Sequence, residues 1–201
     1  MPPRRAQFDP HAILAALERS YVSYVVIGGL AQVLRGADQL TTGVDVCPSF
    51  AADNLERLER AVGELDARRV DGATLALTDE VLGAEPVISL RTNAGVLQVI
   101  GSPAGAPKGY VDLRRAATAE HLGQGVQPLV ASTGDLARMA AALHRDVDLQ
   151  RLPELRRILE LEVDQERKLG AAPQKRPATR RAVQQAPRLG QYRPLRRSAS
   201  S

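Results

Sequence analysis

Tyr24-Val25-Val26-Ile27-Gly28-Gly29-Leu30-Ala31, followed after a short gap by Thr41-Thr42-Gly43-Val44-Asp45-Val46, decides the fold. The run from Tyr21 to Ile27 is apolar and rich in β-branched residues, and it stops at a glycine pair. That pattern predicts a buried strand entering a tight turn. Leu30 to Leu34 restarts helical spacing, and Gly36 ends it with the basic Arg35 in the last turn. Thr42 to Cys47 alternates and predicts a second strand, stopped by Pro48.

Working outward, Asp9-Pro10 supplies an N-cap and a proline at the first helical position, and Ile13, Leu14 and Leu17 make an apolar stripe over 10–19. Leu55, Leu58, Val62 and Leu65 recur at helical spacing and predict a helix over 51–65 whose apolar face is core. Pro86 to Thr92 and Val96 to Ile100 are expected strands joined by the hairpin turn Thr92-Asn93-Ala94-Gly95. Residues 101–109 hold alternating glycines and prolines and predict a loop. A short helix is expected over 110–116, and a short strand or extended piece over 126–130. Ser132-Thr133 caps a helix running to about Leu143. Pro153 is expected to open a last helix reaching Gly170. The order α-β-α-β-α, a hairpin, then helices predicts an α+β fold: a small mixed sheet with flanking helices and a helical C-terminal part. A doubly wound dinucleotide fold is excluded, because no G-x-G-x-x-G follows the first strand.

The 201 residues suit one domain with appendages. With 3% aromatic residues and no Trp, the core must be aliphatic. The single Cys47 rules out an internal disulfide, and His11, His121 and His144 lie too far apart in sequence to suggest a metal cluster. No apolar stretch approaches the roughly 20 residues that span a bilayer, and no apolar segment follows the basic start, so no membrane partner and a cytoplasmic location are the expectation. Charge divides the chain. Residues 171–201 carry eight basic residues and no acid, which leaves 1–170 with 19 basic and 23 acidic residues, net −4. Residues 1–8 are expected to be a flexible start, 9–170 the domain, and 171–201 a disordered basic tail. Two readings fit that tail: an arm that neutralises phosphates of RNA, DNA or another polyanion, or a solvated tail with no partner of its own.

Ile27-Gly28-Gly29-Leu30-Ala31, the Thr41–Asp45 element, the hairpin through Gly95, the helix holding Met139, and Arg145-x-x-Asp148-Leu149 occur in one order over about residues 8 to 165. In this the chain resembles the nucleotidyltransferase superfamily, with its polymerase-β-like fold. The closer likeness is to small bacterial nucleotidyltransferases of the abortive-infection toxin type. The resemblance implies a nucleotidyltransferase fold, an NTP as ligand, Mg²⁺ as cofactor if the protein is active, RNA or protein as acceptor, and a possible antitoxin partner. It implies nucleotide binding at Gly28, Gly29 and Arg145, and a catalytic, metal-binding role for Asp45. The chemistry is clear: glycines admit close backbone approach to phosphates, and alternate carboxylates on a strand share one face. A third carboxylate from the neighbouring strand completes a site for two Mg²⁺ ions.

The chain departs from that pattern where the chemistry lies. Gly43 stands at the first carboxylate position, Gln98 at the third, and Met139 is followed by Ala140 where the family has Met-Lys. If each lost ligand removes roughly 3 kcal/mol of transition-state stabilisation, two cost about 10⁴-fold in rate. Impaired catalysis is therefore expected. An active enzyme with a relocated carboxylate (Asp71, Asp79, Glu80 or Glu85) is the alternative, with Asp79-Glu80 expected in a loop. A non-enzymatic polyanion-binding scaffold is the third reading. Gly28-Gly29 fits either a phosphate turn or tight strand-to-helix packing. Asp45 fits either a residual ligand or a strand-end carboxylate satisfied by N–H groups. Arg145 and Asp148 fit a mutual pair, or Arg145 faces a phosphate. Cys47 is expected buried and not nucleophilic, and His144 at a helix end is expected to favour the dipole.

Overall fold

The computed structural model describes residues 8–170. The expected disordered tail over 171–201 and residues 1–7 of the expected flexible start over 1–8 lie outside the described residues, while Phe8 is partly buried against the core. The elements in chain order are α1 (Pro10–Arg19), β1 (Tyr24–Ile27), α2 (Gly28–Leu34), β2 (Gly43–Pro48), α3 (Ala52–Glu64), β3 (Arg68–Arg69), α4 (Asp79–Ala84), β4 (Val87–Thr92), β5 (Gly95–Ile100), α5 (Tyr110–Leu113), β6 (Thr118–Ala119), β7 (Leu129–Val130), α6 (Thr133–Leu143) and α7 (Asp146–Gly170). The strands form one mixed sheet in the order β3-β4-β5-β2-β1-β7-β6. β2 pairs antiparallel with β1 and parallel with β5, while β4–β5 is the expected hairpin, closing at Thr92↔Gly95. The fold is α+β, with helices flanking the sheet and a helical C-terminal part, as the element order predicts.

The alternation of strand side chains sorts the sheet into two faces. Val44, Val46, Leu97, Val99, Ile88 and Leu90 point to one face and are all essentially buried. α1 and α3 cover that face with Ile13, Leu14, Leu17, Leu58 and Val62, each fully buried. The other face carries Gly43, Asp45 and Cys47 on β2 beside Val96, Gln98 and Ile100 on β5. Cys47 is fully buried there, and burial pushes its thiol up to about 12, so it is not a thiolate near neutral pH.

Four local expectations are corrected. Tyr21 is not in β1; it sits in a left-handed turn at φ 56°, 79% exposed, because the chain must reverse after α1 before the strand can pair. Asp79 and Glu80 form the first turn of α4, capped by Thr78 Oγ1 accepting from the Val81 N–H, a Thr-x-x-Val cap with acids favoured at the N-terminus. Pro153 lies inside α7, which begins at Asp146, with the Arg145 carbonyl accepting from the Asp148 and Leu149 N–H groups. Packing of α7 against α6 outweighs the one hydrogen bond the proline removes. Finally, the expected strand over 126–130 shrinks to β7, and the two-residue strands β3 and β6 carry no periodicity long enough to detect.

Arg35 does more than favour a helix dipole. Its Nε donates to the Ala131 carbonyl at 2.9 Å, Nη2 to the Val130 carbonyl at 2.7 Å and to Thr118 Oγ1 at 2.8 Å, and Nη1 to Glu120 at 2.6 Å. The side chain is 11% exposed. It therefore clamps α2 to β7 and β6. Arg35→Ala strands two carbonyls and a carboxylate, and is expected to cost about 2 kcal/mol, read as a lowered urea midpoint with an unchanged slope.

Candidate functional site

Gly28 is where the strand turns into the helix. Its φ of +64° is the left-handed conformation that glycine adopts without strain. A Cβ there would stand 1.9 Å from Asp45 Oδ2, 2.8 Å from its Cγ and 3.0 Å from its Cβ. β1 and β2 pair Ile27 with Asp45, so the carboxylate lies directly over the turn. The next residue is constrained on both sides: the Gly29 N–H lies near enough to the Asp45 carboxylate to favour its charged form, and the Gly29 carbonyl accepts from Gln39 Nε2 at 3.1 Å. Gln39 also donates to Gln32 Oε1 at 2.8 Å, and Gln32 is buried.

Burial raises the Asp45 pKa above its ordinary value, against the opposing pull of the Gly29 N–H and the Arg145 guanidinium. Arg145 donates through Nε to Asp148 Oδ2 at 2.5 Å, with the Asp148 side chain 6% exposed. That hydrogen bond is the main reason the Arg145 pKa is raised. Arg145 pairs with Asp148 and lines the same cleft as Asp45.

These residues border one cleft of about 490 Å³ between the sheet and α6–α7. Gly28, Gly29, Asp45, Gln98, Met139, Ala140, Arg145 and Asp148, widely separated in sequence, all line it. Gln98 is the direct partner of Asp45 across β2–β5, on the same face. Sequence reasoning missed Gln32 and Arg151, which also line the cleft. Gln32 sits one helical turn after Gly28, a signal that could have found it; Arg151 became visible only once α7 was seen to start before Pro153.

The acids considered as relocated ligands are elsewhere or engaged. Arg69, on edge strand β3, binds Asp71 at 2.5 Å and Glu85 at 2.6 Å. Asp79 and Glu80 are exposed on α4. Among the described residues no three His, Cys, Asp or Glu side chains are grouped to hold a metal ion.

No protein-family model matches the sequence, and no curated protein matches it. Solved structures do. A candidate nucleotidyltransferase from Thermotoga maritima is 16% identical, with a TM-score of 0.40, over 79% of this chain and 89% of that one. The antibiotic-resistance factor ANT(2'')-Ia is 15% identical, with a TM-score of 0.46, over 80% of this chain and 94% of that one. Among the described residues no helix is long and apolar enough to cross a membrane.

Proposed function

We propose that this chain is a nucleotidyltransferase-fold protein that binds a nucleoside triphosphate in the cleft and does not carry out transfer. The observation that carries the reading is the Asp45–Gln98 pairing: an amide stands beside Asp45 at the position where the resemblance places an acid. The cleft is in the size range of small-molecule sites. Leu136, Met139 and Ile100 offer an apolar wall for a base, and Arg145 and Arg151 offer guanidinium groups for phosphates beside the Gly28–Gly29 turn.

The paired Mg²⁺ ions of the fold family would activate the attacking hydroxyl and neutralise the leaving pyrophosphate. The residues present do not fit such a pair. The cleft's two carboxylates are Asp45 and Asp148; Asp148 is taken by Arg145, and Asp45 alone is too few and disfavoured as a charge by its burial. Binding then rests on guanidinium and backbone groups, and Asp45 is the negative charge on the sheet facing the triphosphate.

The test is calorimetric titration of ATP into wild type and Asp45→Asn, with and without Mg²⁺, alongside transfer assays with labelled NTPs and total RNA or protein. Those two acceptors are the classes implied by the toxin-type likeness. Expected are affinities that change little with Mg²⁺, an Asp45→Asn variant that binds at least as tightly as wild type, and no labelled product. Metal-dependent labelling that Asp45→Ala abolishes defeats the proposal.

A further inference from the structure

A second charged feature lies on the cleft face of the sheet, away from the cleft. Arg68 on β3 and Arg91 on β4 are direct cross-strand partners, and both are exposed. Residues directly opposite in an antiparallel pair share a face with Cβ atoms about 4.5–5.5 Å apart, and like charges so placed repel. Among the described residues neither guanidinium has a carboxylate within salt-bridge distance. The adjacent Arg69, on the other face, takes both Asp71 and Glu85. The two arginines border a concavity of about 370 Å³ at the sheet edge, completed by Asp66, Arg69, Val70, Thr92 and Asn93; Arg69 is already committed to its two carboxylates. Asp66 is the acid in that lining, and it pairs with neither arginine.

Position follows from the register. Asp45 pairs with Gln98, Gln98 with Ser89, and Arg91 is two residues beyond Ser89. Arg91 is thus two strands over and two residues along from Asp45, roughly 12 Å away at ordinary sheet spacings. It shares the cleft's face without lining the cleft.

We propose that Arg68 and Arg91 form an oxyanion site for a phosphate group, either free or within a nucleic-acid backbone. A guanidinium presents a planar fork that grips two oxygens. Two forks on directly paired residues of neighbouring strands suit an anion with more than two acceptor oxygens, which a phosphate has and a single carboxylate lacks. A phosphate between them converts a repulsive pair into two attractive ones. The inference stands apart from the cleft proposal and survives its failure.

The test follows Arg Nε–H resonances of the full chain by NMR while inorganic phosphate is added at constant ionic strength, with a short single-stranded oligonucleotide as the second arm. The Arg68 and Arg91 resonances are expected to shift together along one saturation curve, while Arg19, on α1, stays still and Arg145 reports the cleft separately. Arg68→Gln/Arg91→Gln is expected to weaken phosphate affinity outside the cleft at least about tenfold, the loss of a charged hydrogen bond. It should also remove the matching rise in Tm. Saturation by the oligonucleotide at lower concentration than by phosphate identifies a backbone source; saturation by phosphate alone identifies the free anion. The proposal is overturned if neither ligand moves the two wild-type resonances, or if the double variant keeps the full phosphate-induced rise in Tm. Should the variant fail to fold, the wild-type resonances alone decide.

Discussion

Gly28→Ala lowers unfolding free energy by about 4 kcal/mol, from a left-handed backbone that alanine resists and a side chain forced into Asp45. Swinging the carboxylate aside does not relieve the clash, because Asp45 Cγ and Cβ also lie within 2.8 and 3.0 Å of the added carbon. The two causes separate in a double-mutant cycle. In an Asp45→Ala background most of the overlap is gone, and the same substitution should cost about 1–2 kcal/mol, the backbone part alone. Urea denaturation of the four proteins measures the coupling. Additive losses would show that the two residues do not meet as the structure has them.

Gln98→Asp is the second large effect. It sets a carboxylate beside Asp45 in register and on one face. One restored ligand is worth about 100-fold in Mg²⁺-dependent nucleotide affinity, if metal ligation contributes several kcal/mol as in other sites of this kind. Without metal the two acids repel, so the variant should be less stable than wild type, regain stability on adding Mg²⁺, and lose it again with EDTA. Calorimetry and thermal melts read both. Gly43→Asp is the harder change, since its Cβ would come 3.3 Å from the Val96 carbonyl oxygen, tighter than ordinary contact. A Gln98→Asp protein indifferent to Mg²⁺ would mean that the missing acid is not what separates this cleft from a metal centre.

The centre of the fold was legible because its signals are local and long enough. A β-branched run ending in glycines, an alternating strand, a four-residue hairpin turn and the helix caps at Asp9 and Ser132 each state their structure without help from the rest of the chain. The edges were not. β3 and β6 are two residues each and exist only because a neighbour pairs with them. Pro153 signals a helix start in isolation, and only packing on α6 carries α7 back to Asp146. The cleft was legible as positions but not as contacts. Asp45 and Gln98 were expected on neighbouring strands, yet nothing in residue types shows that Asp45 crowds the Gly28 backbone. Arg35 is the sharpest miss: a basic residue at a helix end suggests a dipole, while its four long-range hydrogen bonds appear only in three dimensions.

The crowded carboxylate at Gly28 also governs how folding takes up protons. Because desolvation raises the Asp45 pKa in the folded chain, the native state holds that proton at a pH where the unfolded state, near 3.8, has released it. As pH falls through the raised value the native state gains stability, and the gain is complete below about 3.8. Asp71 works the other way. Its hydrogen bond from Arg69, followed by the Ala73 N–H, holds its pKa at about 2, so its contribution is present above 3.8 and disappears as pH approaches 2. The two groups therefore respond to acid in opposite senses, and an asparagine at position 45 removes the Asp45 part alone.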